Sequence, residues 1–211
     1  MNIAIIGAGN VGGTLGKRFA AAGHEIVFGV RDPARDKYQS LVMQAGSRAR
    51  LAGNAEAAAG ASAIVLATPW STTESALAAC GDLSGKIVID ATNPLGADLN
   101  LGMGLTDSGG EQVARWARGA LVVKAFNSTG FNVMDDPVLD GRHAVMFVAG
   151  DDAAAKGVVL DLAGAIGFEA IDAGPLKIAR LLEPLAVLWI HCAYRQGLTR
   201  DYAFALIRRG A

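Results

Sequence analysis

The chain has 211 residues, 52% of them apolar and 18% charged, a balance that excludes a disordered polypeptide and suits one full α/β domain with a small appendage. Lys and Arg number 19 against 20 Asp and Glu, for a net charge of -1, so no global field holds nucleic acid or an acidic membrane and neither is an expected partner. Cys80 and Cys192 match neither zinc-site nor redox spacing; both read as reduced core thiols, and no metal site is expected.

The first apolar run, Ile3 to Ile6, leads directly into a glycine loop, so secretion is not expected. Further short runs with β-branched residues recur at Glu25 to Phe28, Ala63 to Ala67, Lys86 to Asp90, Leu121 to Ala125 and Ala144 to Val148, with a weaker one at Ala49 to Leu51. Ala-rich helical stretches separate them, best placed at 10–22, 33–46, 70–80, 109–118 and 151–165, the second with Asp32 as N-cap and Pro33 at its first position. Such alternation predicts a doubly wound, mostly parallel sheet with helices on both faces. Pro94 to Ser108 is a long connector after a strand end, the kind of loop that commonly carries function.

After Asp172-Ala173-Gly174-Pro175 the pattern becomes helical, dividing the chain into 1–174 and a C-terminal region over 175–211. Leu181, Leu182, Leu185, Val187, Leu188, Trp189 and Cys192 cover more than one helix face. The expectation is a homodimer built on this region, the alternative a helix folded back across its own chain. Leu181 to Tyr194 is interrupted by Glu183, Pro184 and His191 and is too short for a hydrocarbon core of about 30 Å, so a cytoplasmic location is expected.

Gly7-Ala8-Gly9-Asn10-Val11-Gly12 gains meaning from its place between the first strand and the first helix. There the first glycine permits the tight turn, the second lets backbone approach a pyrophosphate, and the third permits close packing, the Rossmann dinucleotide pattern. The helix N-terminus beyond it presents unpaired N–H groups to negative charge. An NAD enzyme places an acid about 20 residues further on for the ribose hydroxyl. Here the strand ends Phe28-Gly29-Val30-Arg31-Asp32. Val30 cannot bind that hydroxyl, whereas Arg31 can stack on adenine or fork onto a 2′-phosphate, which favours NADP(H). Asp32 could serve NAD, but the helix cap gives it a sufficient role. Lys37 reads as solvated surface, with the phosphate as its alternative partner.

Several motifs in order, over nearly the whole chain to about residue 195, resemble the NADPH-dependent reductases of the deazaflavin coenzyme F420 and their bacterial relatives. These share a nucleotide fold with the cytoplasmic domain of six-transmembrane metalloreductases. The motifs are Gly7 to Gly12, Arg31 before Asp32-Pro33, Thr68-Pro69-Trp70, Gly150-Asp151-Asp152, and Asp172 to Leu176 followed by Arg180-Leu181-Leu182-Glu183. The resemblance implies hydride transfer between NADP(H) and a flavin-like coenzyme, F420 or FMN/FAD, with positioning in place of acid–base catalysis. His24, His143 and His191 accordingly read as structural, and no catalytic residue is assigned. The resemblance further implies that Thr68, Pro69 and Asn93 line the nucleotide and nicotinamide cleft. Asn127, Ser128 and Thr129 are the acceptor-side candidates. Two positions depart from the family pattern: Val30 replaces a hydroxyl residue that often precedes the arginine, and Phe126-Asn127 stands where archaeal deazaflavin enzymes carry His-Thr.

Two other functions fit parts of this pattern. One is an NADP-dependent reductase of a small metabolite, although the region after Pro175 is too short for the long helical domain of such enzymes. The other is a non-enzymatic NADP(H) sensor, in which partner binding and cofactor affinity would be reciprocally coupled.

Overall fold

A computed structural model describes residues 1–96 and 98–209. It opens with β1 (Asn2–Ile6), α1 (Asn10–Ala21), β2 (Glu25–Gly29), α2 (Asp36–Ala45), β3 (Ala49–Ala52), α3 (Asn54–Ala59), β4 (Ala63–Leu66), α4 (Trp70–Ala78) and β5 (Ile87–Asp90). It continues through α5 (Gly109–Trp116), β6 (Leu121–Lys124), α6 (Phe131–Asp135), a hairpin of β7 (Val138–Leu139) and β8 (Arg142–His143), then β9 (Val145–Gly150), α7 (Ala153–Ala165) and β10 (Glu169–Gly174). A 3₁₀ turn (Leu176–Ile178) leads into α8 (Ala179–Arg195).

Eight strands form one sheet in the order β10-β9-β6-β5-β4-β1-β2-β3. The six from β3 to β6 pair in parallel, β9 joins β6 antiparallel, and β10 lies parallel to β9. This is the doubly wound, mostly parallel sheet that the alternation predicts. Both faces are covered, so central strands read as unbroken apolar runs: all four residues of β4 are buried. Phe19, Phe28, Phe126 and Met146 belong to the core on one face, Leu66, Leu77, Leu83 and Val113 to that on the other.

Local chemistry sets the helix ends. Asp152 caps α7, its Oδ1 accepting from the Ala155 N–H at 2.8 Å, and Ser108 Oγ accepts from the Glu111 N–H at 3.2 Å to cap α5. Asp32 does not cap α2, which begins four residues later at Asp36. Its Oδ1 instead accepts from the Ala34 N–H at 3.2 Å, closing a turn in which the chain bends away from the end of β2. Three elements carry little sequence signal. α3 is six residues long, α6 is five, and β10 is an edge strand without a buried residue.

The C-terminal helix folds back over its own chain on one side and is bare on the other. Ala179, Leu182, Glu183, Ala186, Trp189 and Ala193 are buried, whereas Leu181 and Leu188 are 62% and 51% exposed. The tail then returns: the Val145 N–H donates to the Phe204 carbonyl at 2.8 Å, and Tyr202 stacks on Trp189 with ring centroids 5.4 Å apart. Among the described residues, no helix is long and apolar enough to cross a membrane.

Candidate active site

The carboxyl edge of the six parallel strands brings together the loops that follow β2, β1, β4, β5 and β6. Neighbouring strands lie about 4.8 Å apart, so these five loops form a row of roughly 19 Å, suited to an extended ligand. Arg31, the glycine loop, Thr68-Pro69, Asn93 and Asn127 follow one another along that row.

A cavity of about 360 Å³ occupies the first part of it, lined by Gly7, Ala8, Gly9, Arg31, Thr68 and Pro69 among the expected residues. Gly7 has φ +103°, and a Cβ there would lie 2.5 Å from the Ala67 carbonyl oxygen. At Gly12 a Cβ would fall 2.0 Å from the Gly7 oxygen, so α1 could not approach the loop with any larger residue. Gly9 differs, because it has an ordinary negative φ of -86° and a Cβ would meet nothing within 4 Å. Neither backbone conformation nor protein packing requires a glycine there; the open space is a cradle that a ligand backbone can fill. Asn10 and Val11 form the first turn of α1 rather than the cavity wall. That turn has no side-chain cap and no acidic residue, so its N–H groups and positive dipole end remain available to an anion.

Lys37, read from sequence as surface, lines the same cavity as Arg31 and sits with Nζ 4.6 Å from the centroid of the Tyr38 ring. Two cations thus border one end of the cavity. Tyr38, Asn54, Thr72 and Ser75 also line it and had no sequence signal. Thr68 Oγ1 lies 2.9 Å from Thr73 Oγ1, and Thr73 Oγ1 donates to the Pro69 carbonyl at 3.1 Å, fixing the loop after β4 to the start of α4.

Asn93 and Asn127 lie outside that lining and form a second group at the ends of β5 and β6. Asn93 Nδ2 donates to the Asn127 carbonyl at 2.9 Å, and Asn127 Nδ2 donates to Asn93 Oδ1 at 3.0 Å and to the Leu182 carbonyl at 3.1 Å. Phe126 makes this possible by adopting φ +62°, a left-handed conformation costing about 1–2 kcal/mol that turns the chain out of β6. Ser128 is buried and Thr129 is half-buried; Asn127 Oδ1 and Thr129 Oγ1 are buried without a protein hydrogen-bond partner.

Beneath this pair is a buried ionic group absent from the sequence reading. Lys124 Nζ reaches Asp90 Oδ2 at 2.9 Å, the Thr92 carbonyl at 2.7 Å and Glu183 Oε1 at 2.8 Å. All three side chains are fully buried. Burial alone would lower the Lys124 pKa, but the charges of Asp90 and Glu183 outweigh it and hold the ammonium above its ordinary value. Glu183 also accepts from the Gly109 and Gly110 N–H groups at 2.9 and 3.0 Å, at the N-terminus of α5. A lone lysine closing an apolar strand and a glutamate inside an apolar helix were the available signals.

The more specific motifs of the chain serve this junction. Asp151 Oδ1 accepts from the Leu176 N–H at 2.9 Å, Lys156 pairs with Asp172 at 2.9 Å, and Arg180 pairs with Glu111 at 2.7 Å. Together with Glu183 they latch α8 to the sheet.

A glycine loop between β1 and α1 at the carboxyl edge of a doubly wound sheet defines a nucleotide-binding α/β protein of the dinucleotide class. The family model described as NADP oxidoreductase, coenzyme F420-dependent, matches residues 2–94. An F420-dependent NADP reductase of Methanothermobacter thermautotrophicus is 34% identical, over 92% of this chain and 90% of the relative. The metalloreductase STEAP3 of Rattus norvegicus is 30% identical over 98% of this chain, which spans 43% of that protein. A crystal structure of an Arthrobacter sp. FB24 protein that carries the F420-dependent NADP reductase name superposes with a TM-score of 0.90 at 37% identity, covering 99% of this chain and 100% of that one. An Aspergillus terreus reductive aminase, TM-score 0.65 at 23% identity over 92% of this chain and 60% of its own, shares the fold. The chain belongs to the family of coenzyme F420-dependent NADP oxidoreductases.

Proposed function

We propose that this NADP-dependent oxidoreductase moves a hydride between NADP(H) and a flavin-like coenzyme, with F420, which the family name carries, as the favoured acceptor. The observation that carries the reading is the row of five loops, in which a ligand-sized opening at Gly9 lies between a doubly cationic end and a polar amide end. Gly7, Ala8 and Gly9, with the free N–H groups of Asn10, Val11 and Gly12, would hold the pyrophosphate. Arg31 and Lys37 would hold the 2′-phosphate, which only NADP(H) presents. Thr68, Pro69 and Asn93 would carry the chain of contacts towards the nicotinamide. Asn127, Ser128 and Thr129 would border the acceptor ring.

When bound, NADPH supplies the hydride and leaves as NADP⁺, while the acceptor takes up the hydride together with a solvent proton. The protein's part is placement. Asn93 and Asn127 hold each other, α8 closes one side against water, and no side chain needs to gain or lose a proton. Stopped-flow oxidation of NADPH with F420, FMN, FAD and riboflavin tests the reading. Rapid turnover with F420 is expected, and tight NADPH binding without oxidation by any of the four would leave a sensor instead of an enzyme. The homodimer expected from sequence is part of the same proposal, with Leu181 and Leu188 at the contact. A monomer mass in solution would refute it.

A further inference from the structure

We infer that Glu183 is a positioning residue for the nicotinamide side of the site, acting on Asn127 through a closed circuit of hydrogen bonds that includes Lys124. The circuit can be followed around. From Glu183 Oε1 it passes to Lys124 Nζ at 2.8 Å and on to the Thr92 carbonyl at 2.7 Å. The next residue is Asn93, whose Oδ1 accepts from Asn127 Nδ2 at 3.0 Å. The same Nδ2 donates to the carbonyl of Leu182 at 3.1 Å, and Leu182 is covalently joined to Glu183. The links join β5, β6 and α8, so no single element fixes Asn127 alone.

This arrangement has a chemical output. Both amide protons of Asn127 point at acceptors, the Asn93 amide oxygen and a main-chain carbonyl, so turning the amide over would set oxygen against oxygen. The amide oxygen is therefore committed to the other direction, where it has no protein partner although Asn127 is only 5% exposed. A buried acceptor left unmade costs about 1–3 kcal/mol, which a ligand donor can recover. The ligand chemistry that matches is a neutral N–H donor on a planar ring system: the carboxamide of a nicotinamide or an imide N–H of an acceptor ring. Lys124 has no proton to spare for the ligand, because each of its three has an acceptor. Its contribution is to fix where the Thr92 carbonyl and hence Asn93 lie.

The inference rests on reading the β5–β6 edge as the nicotinamide side, and the test separates the two. Dissociation constants are measured by calorimetry for NADPH and for adenosine 2′,5′-bisphosphate, which lacks the nicotinamide half. Glu183→Gln and Asn127→Ala are each expected to weaken NADPH by roughly 10- to 100-fold while changing the bisphosphate less than about twofold. The double variant should be no weaker than Asn127→Ala alone, since both act on one path. Where NADP⁺ with its carboxamide replaced by an acetyl or formyl group, neither of which has an N–H, loses the same factor in the wild type, the donor is the nicotinamide. If these analogues bind like NADP⁺, the donor belongs to the acceptor ring, and the loss in the variants moves to F420 affinity.

Glu183→Gln that binds NADPH like the wild type, beside a weakened Asn127→Ala, overturns the circuit and leaves the site reading intact. Asn127→Ala that binds both NADPH and F420 normally overturns both. Should Glu183→Gln fail to fold, the pair Lys124→Met with Glu183→Gln removes one charge of each sign together and gives the same readout.

Discussion

Asn93 and Asn127, 34 residues apart in sequence, hold each other reciprocally: Asn93 Nδ2 donates to the Asn127 main-chain carbonyl at 2.9 Å, and Asn127 Nδ2 donates to Asn93 Oδ1 at 3.0 Å. Contacts this close make the two positions one unit. Asn93→Ala and Asn127→Ala are expected to be non-additive in thermal unfolding, with an interaction energy of about 0.5–3 kcal/mol in a double-mutant cycle. Additive losses would mean that the pair is incidental to the fold of the β5–β6 edge.

The glycine loop gives a sharper contrast. Gly12→Ala puts a methyl 2.0 Å from the Gly7 oxygen and should lower stability by more than about 2 kcal/mol. Gly9→Ala meets no protein atom within 4 Å, so its stability should change by less than about 1 kcal/mol. NADPH binding should nevertheless fall by roughly tenfold or more, because the added methyl enters the space of the pyrophosphate. Thermal melts with and without NADPH read both quantities, and an unaltered ligand-induced shift in Gly9→Ala would sink the pyrophosphate assignment.

Arg31 and Lys37 border the same cavity. Replacing either with Ala should cost NADPH affinity roughly 10- to 150-fold more than NADH affinity, the equivalent of about 1.5–3 kcal/mol for a lost charged contact, since only NADPH has the 2′-phosphate. Equal losses for the two nucleotides would make Arg31 an adenine stack and nothing more.

Glu111 receives Arg180 on both carboxylate oxygens, at 2.8 and 2.7 Å. The hydrogen bond from Arg180 holds its carboxyl below the usual glutamate range, and the further bond from Ser108 reinforces the effect against partial burial. A carboxyl whose folded pKa is depressed stabilises the fold above its unfolded value, about 4.3, and that contribution disappears as pH falls through the lower folded value. Arg180→Gln should therefore be less stable than the wild type near neutral pH, with the gap closing in acid below about pH 4. A gap that persists unchanged at about pH 3 would assign the loss to packing of the Arg180 stem.

The parallel part of the sheet was legible because strands buried on both faces must be apolar throughout, as Ile3 to Ile6 and Ala63 to Leu66 are. The cavity end of the site was legible for a related reason: Gly7 and Gly12 answer local demands on a turn and a packed helix. Asp32 was misplaced because it lies in the connection after β2, whose course depends on a turn and not on helix periodicity, and Lys37 because it sits in the first turn of α2, which that turn delivers to the cavity. Lys124, Asp90 and Glu183 escaped because their meaning is relational. Each looks like an isolated charge in its own segment, and only the fold sets them 2.8–2.9 Å apart.

The reversed direction of β9 and β10 has a consequence for the polarity of everything that follows. A helix that succeeds a parallel strand starts at the ligand edge and descends from it, as α1 and α4 do, offering only its first turn. Because β10 runs the other way, α8 starts beside Gly110 in the first turn of α5, level with the Lys124 end of β6, and runs on past Asn127 at Leu182 to the long loop after β5, where Arg195 donates to the Asp98 carbonyl. The site is thereby furnished with the flank of a helix as a side wall. An insertion or deletion of a single residue between β10 and Glu183 would rotate that wall by about 100°, turning the faces carrying Glu183 and Trp189 away from the edge, whereas the same change after Arg195 would leave it in register.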